Sequence, residues 1–285
     1  MMNSSNLEEP IPLTPDEEFR YSRQLLLSEM TKEKQERLKN SSILIVGAGG
    51  LGSPCMTYLC GAGVGTIGII DNDTVSISNL HRQIIHKEKN AGKNKSESAK
   101  DFLEELNPNT KIITYKEEIN EKNGLSICKN YDIIIDCCDN VKTRYVLNDI
   151  CVILNKPFIS GASIRWNGQL SVFVTNTKIK LPCYRCLFPK APLIQNVKKA
   201  NQVGVIGSSC GIIGIFEANE AIKIICGFWD KVLNKQILFL DCLDVNVKIA
   251  KTRNERKECI VCGDDKVIRN DNFGEFDYES FVLGK

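Results

Sequence analysis

Short aliphatic and β-branched runs alternate, along the first half of the chain, with stretches whose apolar positions recur at helical spacing. SSILIVG (41–47), TIGIID (66–71), KIITYK (111–116) and YDIIIDCC (131–138) each read as a strand. These runs are almost continuously apolar, the pattern of strands covered on both faces. Between them, the small apolar stretch 50–62 predicts a helix packed closely on a sheet. The polar stretch 93–106 predicts a second helix, and a short third one leads into 131. Upstream, Glu17 to Lys39 carries the spacing of one or two helices. Residues 1–19, with three prolines and no periodicity, read as a flexible lead-in. This strand–helix alternation predicts an α/β protein with a Rossmann-like, doubly wound and mostly parallel sheet.

The second half changes character. KPFISGAS (156–163) and GQLSVFVT (168–175) read as strands joined by a turn, so the sheet is expected to continue with antiparallel strands. Residues 189–203 have no pattern and are long for an idle connection, which predicts a mobile loop acting as a gate. A small-residue helix follows from Gly207 to about Cys226, then the strands QILFLD (236–241) and VNVKIAK (245–251). The resulting division is a lead-in (1–19), one domain (20–263) and an acidic, weakly patterned tail (264–285). Within the domain, about 41–155 forms the nucleotide-binding half and 156–263 the second half. No internal repeat or low-complexity tract is present.

Composition narrows the class. The 285 residues carry a formal net charge of +2, so no overall field points to nucleic acid or a membrane surface. No apolar run is long enough to span a bilayer. The polar, acidic start is unlike a signal or transit peptide, which predicts a cytoplasmic protein. In a reducing compartment the 13 cysteines do not form a disulfide framework, and only two histidines, His81 and His86, are available for chemistry.

Gly47-Ala48-Gly49-Gly50-Leu51-Gly52 fits G-x-G-x-x-G between a predicted strand and helix, where glycines let the backbone turn and approach a phosphate. Asp71 ends the next strand, where an acid accepts from ribose hydroxyls. The glycine pattern alone fits a nicotinamide cofactor or ATP. Ser78-Asn79-Leu80-His81-Arg82-Gln83, followed by Lys95, favours the triphosphate, because more negative charge needs more cations. Asp136-Cys137-Cys138-Asp139-Asn140 ends the fourth strand; Asp136 reads as structural and Asp139 as a magnesium ligand. Arg144, one helical turn beyond Asn140, either reaches the same crevice or pairs on a helix surface.

Cys183-Tyr184-Arg185-Cys186 and Cys259-Ile260-Val261-Cys262 can together supply four thiolates to a closed tetrahedral zinc site. The competing redox reading of CxxC lacks the thioredoxin-like unit it needs. The other nine cysteines read as core residues, Cys210 least securely because it starts a helix.

RYSRQL (20–25), GAGGLG, DNDTVSISNLHRQ (71–83), GxxK (92–95), DCCDN, CYRC and CxxC occur in the order and approximate spacing of the ThiF/MoeB-type adenylyltransferases. The chain resembles that family over roughly 14–263, and within it the adenylyltransferase part of the eukaryotic molybdopterin-synthase sulfurylases. The resemblance implies a homodimer that uses ATP to adenylate the C-terminal glycine of a ubiquitin-like sulfur carrier ending in Gly-Gly. The product would serve molybdenum cofactor synthesis, tRNA thiolation or both. It also implies that Gly47, Gly49, Gly50, Gly52, Asp71, Asp73, Ser78, Asn79, Leu80, His81, Arg82, Gln83, Lys95, Asp139 and Asn140 form the ATP site. Asp139 would manage magnesium and Arg23 would reach the partner's phosphates. The catalytic set becomes Arg23, Arg82, Lys95 and Asp139, and Cys183, Cys186, Cys259 and Cys262 hold zinc.

Two features depart from the family pattern. The loop after CYRC has alanine, at Ala200, where many relatives carry a cysteine, so transfer to a thiol of the same chain is not expected. No rhodanese domain precedes Lys285, but the tail FDYESF (276–281) resembles the stretch that leads into one; only if the chain were complete would a separate sulfur donor be implied. Three other readings stand beside adenylation of a carrier. They are a non-catalytic scaffold subunit of a heterodimeric activating enzyme, an adenylyltransferase acting on a short peptide, and a nicotinamide-dependent oxidoreductase.

Overall fold

The computed structural model describes residues 10–174, 181–192 and 203–284. Its centre is one eight-stranded sheet in the order β3-β2-β1-β4-β5-β6-β7-β8. β1 (Ser42–Val46), β2 (Thr66–Ile70), β3 (Lys111–Tyr115), β4 (Ile133–Asp136) and β5 (Phe158–Ile164) pair in parallel. β6 (Asn167–Phe173), β7 (Gln236–Asp241) and β8 (Asn246–Lys251) continue the sheet antiparallel from β5. The mixed doubly wound sheet is therefore the one the runs of aliphatic residues predict.

Ile43, Leu44, Ile45, Ile133, Ile134 and Ile135 are all fully buried, because helices cover both faces of the parallel part. On one face lie α3 (Lys32–Lys39), α4 (Gly52–Ala62), α5 (Lys95–Leu106) and α9 (Gly207–Ile225). On the other lie α6 (Gly124–Cys128), α7 (Val141–Leu154) and α8 (Tyr184–Leu187). Strand order reverses between β1 and β4, so the crevice at their carboxyl ends is the expected ligand position. β8 is exposed along its whole length, and Phe239, Leu243, Val245, Val247 and Ile249 leave apolar surface on this antiparallel extension. No helix among the described residues is long and apolar enough to cross a membrane.

Three expectations need correction or restriction. The lead-in does not extend to residue 19, because α1 (Pro15–Arg20) already begins at Pro15, with a complete capping box. Thr14 Oγ1 accepts from Glu17 N–H and the Glu17 carboxylate accepts from Thr14 N–H, with proline at the first helical position. The span 17–39 holds three helices rather than one or two, since α2 (Ser22–Leu25) also intervenes. The gate expected at 189–203 falls mostly on 193–202, outside the described residues.

The segment after Gly263 is acidic and weakly patterned yet packed: Ile268, Phe273 and Tyr278 are buried, and α10 (Tyr278–Leu283) lies against α7. Its anchor is a buried charge pair. Arg185 grips Asp149 with both Nε and Nη2 at 2.8 Å, and Tyr278 donates to Asp149 Oδ2 at 2.7 Å. The rings of Tyr145, Phe276, Tyr278 and Phe281 surround the guanidinium at 4.4–5.8 Å. Asp149→Ala leaves Arg185 buried without a counter-charge and should cost about 3–5 kcal/mol. Urea unfolding checks this, and a loss below about 1 kcal/mol would remove the anchor from the account.

Candidate active site

A cavity of about 910 Å³ opens at the carboxyl ends of β1, β2 and β4. Its floor is the glycine turn. Gly47 has φ +102°, and a Cβ there would lie 2.8 Å from the Cys137 carbonyl oxygen. A Cβ on Gly52 would lie 2.0 Å from the Gly47 carbonyl oxygen, so Gly52 closes the turn from beneath and does not line the cavity. Gly49 and Gly50 do line it, which leaves their backbone open to a ligand.

Asp71 stands at the cavity wall and holds two loops at once. Its Oδ2 accepts from Ala48 N–H at 2.7 Å and its Oδ1 from Asp73 N–H at 2.8 Å. Burial raises the Asp71 carboxyl above its ordinary pKa, opposed by the nearby Lys95 ammonium and these two N–H donors. Lys95 begins α5 with its ammonium 2.8 Å from Asp73 Oδ2 and almost no exposed surface apart from the cavity. Arg82 is held at its two terminal nitrogens, by Asn79 Oδ1 at 2.8 Å and His81 Nε2 at 2.8 Å. Two cations thus face the glycine turn from separate elements, each oriented by a partner.

At the end of β4 the two aspartates differ in burial. Asp136 is fully buried and taken up by Arg144 Nε at 2.6 Å and Ser160 Oγ at 2.8 Å. Asp139 is exposed and lines the cavity. Asn140 also lines it, although its Oδ1 caps α7 by accepting from Lys142 N–H at 2.9 Å. Of the two alternatives for Arg144, the structure shows the first: it reaches the cavity, and its pairing is a buried one with Asp136 and not a contact on a helix surface.

The structure gathers Gly47, Gly49, Gly50, Asp71, Asp73, Asn79, Arg82, Gln83, Lys95, Asp139 and Asn140 around one space. Ser78, Leu80 and His81 sit on the adjoining turn outside the lining, His81 acting on Arg82. Arg23 is exposed on α2, away from the cavity of its own chain. Sequence reasoning missed the other half of the wall: Ile164, Asn167, Gln169 and Phe239 from β5 to β7. No local motif marks them, because antiparallel register brings them there. Cys210 also lines the space, but burial raises its thiol pKa in spite of Arg82. Cys55, Cys137 and Glu217 form a buried group behind β4 in which Cys137 donates to Glu217 at 3.2 Å. Burial raises the pKa of all three.

The two CxxC pairs converge. Cys183 Sγ lies 3.9 Å from Cys186 Sγ and 3.7 Å from Cys259 Sγ, and Cys186 Sγ lies 3.4 Å from Cys262 Sγ. Four sulfurs each about 2.3 Å from a tetrahedral ion would be about 3.8 Å apart. The spacing therefore fits a closed four-thiolate metal centre and is far from disulfide bonding. Arg256 N–H points at Cys186 Sγ at 3.4 Å, the kind of donor that stabilises a thiolate. The centre joins α8 to the strand-free segment around Cys259.

Fold and site define a doubly wound α/β protein with a glycine-turn crevice and a separate four-thiol centre. The chain belongs to the ThiF family, whose model matches residues 21–261. It is 44% identical over 95% of its length to an adenylyltransferase and sulfurtransferase MOCS3-1 of Zea mays, of which it covers 57%. To the MOCS3 of Dictyostelium discoideum it is 42% identical over 90% of its length, covering 60% of that protein. The chain thus spans less than two thirds of these relatives. Among solved structures, MccB of E. coli superposes with TM-score 0.76 at 24% identity, covering 89% of this chain and 75% of that one. MccB with ATP superposes with TM-score 0.73 at 24% identity, covering 85% and 74%.

Proposed function

We propose that this protein adenylates the C-terminal glycine of a ubiquitin-like sulfur carrier, giving an acyl-adenylate and pyrophosphate. The observation that carries the reading is the shared cavity. Its glycine turn and two oriented cations fit a triphosphate, and its β5–β7 wall leaves room for an extended peptide tail beside it. The relatives named adenylyltransferase support the same chemistry.

In the step itself, a carboxylate oxygen of the tail attacks the α-phosphorus and the bond to the β-phosphate oxygen breaks. The tail's carboxylate is already ionised, so no general base is needed and scarce histidine is no obstacle. Rate comes from placing the two anions together and neutralising their charge. Gly49 and Gly50 would meet the phosphates, Asp71 the ribose, and Lys95 and Arg82 the charge on the phosphates. Magnesium, held through Asp139, would supply further neutralisation. Ser78, Leu80, His81 and Gln83 would shape the adjoining turn, and Asn140 the nucleotide edge.

A homodimer would bring Arg23 of one chain to the phosphates of the other. Exposed Phe19, Leu26, Leu27 and Tyr58 near α2 and α4 supply apolar surface for such a contact. Exposed Val247 and Ile249 on β8 supply a platform for the carrier's folded body. Cys183, Cys186, Cys259 and Cys262 would hold zinc as a structural ion. Molybdenum cofactor synthesis, tRNA thiolation or both, and a cytoplasmic setting, complete the proposal. Ala200 lies outside the described residues.

Mass spectrometry of a Gly-Gly-ending carrier incubated with the protein and ATP tests the reading. The expected product is carrier carrying one adenylate. An unmodified carrier, with ATP binding intact, would favour a scaffold subunit.

A further inference from the structure

We propose that His86 is a positioning residue that fixes the glycine turn for phosphate, holding the Ala48–Gly49 peptide from the side away from the nucleotide. The inference rests on the adenylation reading and adds a residue that touches neither nucleotide nor carrier.

His86 is buried behind the turn and absent from the cavity lining. Its Nε2 lies 2.9 Å from the Ala48 carbonyl oxygen and its Nδ1 lies 3.0 Å from Ser98 Oγ. A carbonyl only accepts, so Nε2 must carry the hydrogen. Burial lowers the imidazole pKa, and Lys95 opposes its protonation further, so the ring is neutral and Nδ1 accepts from Ser98. Asn90 Nδ2 completes the relay by donating to Ser98 Oγ at 2.9 Å. Every donor thus runs one way, Asn90 to Ser98 to His86 to Ala48.

On its other side Ala48 donates its own N–H to Asp71 Oδ2 at 2.7 Å. The two peptides flanking this fully buried alanine are therefore tied at separate points. In a planar trans peptide the carbonyl and the following N–H point in opposite directions. Drawing the Ala48 carbonyl onto His86 thus aims the Gly49 N–H away from it, at the side where Gly49 lines the cavity. Such an N–H, fixed before binding, is what an anionic phosphate oxygen requires. The neutral ring does this work by direction and adds no charge.

His86→Leu and His86→Gln separate this role from simple packing. Glutamine can donate to Ala48 and accept from Ser98, whereas leucine can do neither. In steady-state carrier-dependent turnover, His86→Leu should raise KM for ATP at least about tenfold, with KM for the carrier unchanged. His86→Gln should recover most of that loss, and ¹⁵N spectra of the wild type should show the neutral, Nε2-protonated tautomer. An unchanged KM for ATP in His86→Leu, or equal rises in both KM values, would overturn the inference. If His86→Leu does not fold, Ser98→Ala carries the same comparison, with a smaller rise expected and no rise overturning it. Wild-type protein that binds ATP without turnover would count against the adenylation reading alone, and the variants are then compared by calorimetric Kd for ATP. Wild-type protein that binds no ATP overturns both.

Discussion

Lys95→Ala should lower carrier-dependent adenylate formation by about 100- to 1,000-fold, the usual cost of deleting one aimed charge-stabilising donor. The ammonium sits at the start of α5, enclosed by protein except toward the cavity, and pairs with Asp73 Oδ2 at 2.8 Å. Asp73 is two-thirds exposed, so losing that pair costs little stability. Alanine is also an excellent helix former, and the backbone N–H of residue 95 keeps its bond to the Asp73 carbonyl. The fold should survive and the loss should appear in turnover. Arg82→Ala should act in the same direction, since its guanidinium is held at both ends by Asn79 and His81 on an exposed turn. Arginine at position 95 should not restore full activity, because a planar fork does not replace a compact charge in a wall this enclosed. Melting curves alongside rates check the distinction. A Lys95→Ala protein with wild-type turnover would remove this residue from the catalytic set.

Cys259→Ser should release one metal ion per chain and destabilise the protein by on the order of 4 kcal/mol when free zinc stands a thousandfold above its Kd. The four sulfurs come from two segments far apart in sequence, so an ion held there would act as a cross-link between α8 and the chain around Cys259. That linkage continues into the buried Arg185–Asp149–Tyr278 contact, which fastens the segment after Gly263 to α7. Loss of the ion should therefore loosen α10 as well, an effect that hydrogen exchange over 278–283 would read. Metal analysis and thermal unfolding with and without chelator test the claim. Metal-free protein with unchanged melting would leave the four cysteines without a structural ion.

The parallel half of this fold was open to sequence reasoning because its information is local. Runs such as SILIV and TIGII can be little other than buried strands, and a glycine turn between strand and helix has few alternative meanings. The burial of Asp136 and the exposure of Asp139 were equally legible, since one ends a strand and the other lies beyond it. What stayed hidden depends on register and long-range contact. Gln169 and Phe239 reach the cavity only because β6 and β7 pair antiparallel, with Gln169 opposite Phe239. Tyr278 and Phe276 look like scattered aromatics in an acidic tail until Arg185 gives them a charge to enclose. The capping box at Thr14 and Glu17 has a local signature, but it lies among three prolines and no apolar periodicity, the composition that a flexible lead-in shares. His86 was visible as one of two histidines, yet its bond to Ala48 spans two intervening elements and has no sequence signature.

In the proposed reaction the cavity brings a triphosphate and a carrier's terminal carboxylate together. Exchange of labelled pyrophosphate into ATP, with zinc-loaded protein, magnesium and a purified ubiquitin-like carrier, measures that encounter directly. Exchange should require the carrier, vanish when its last glycine is removed, and fall steeply in Lys95→Ala. Absence of exchange with every Gly-Gly-ending carrier, from protein that binds ATP, would contradict it.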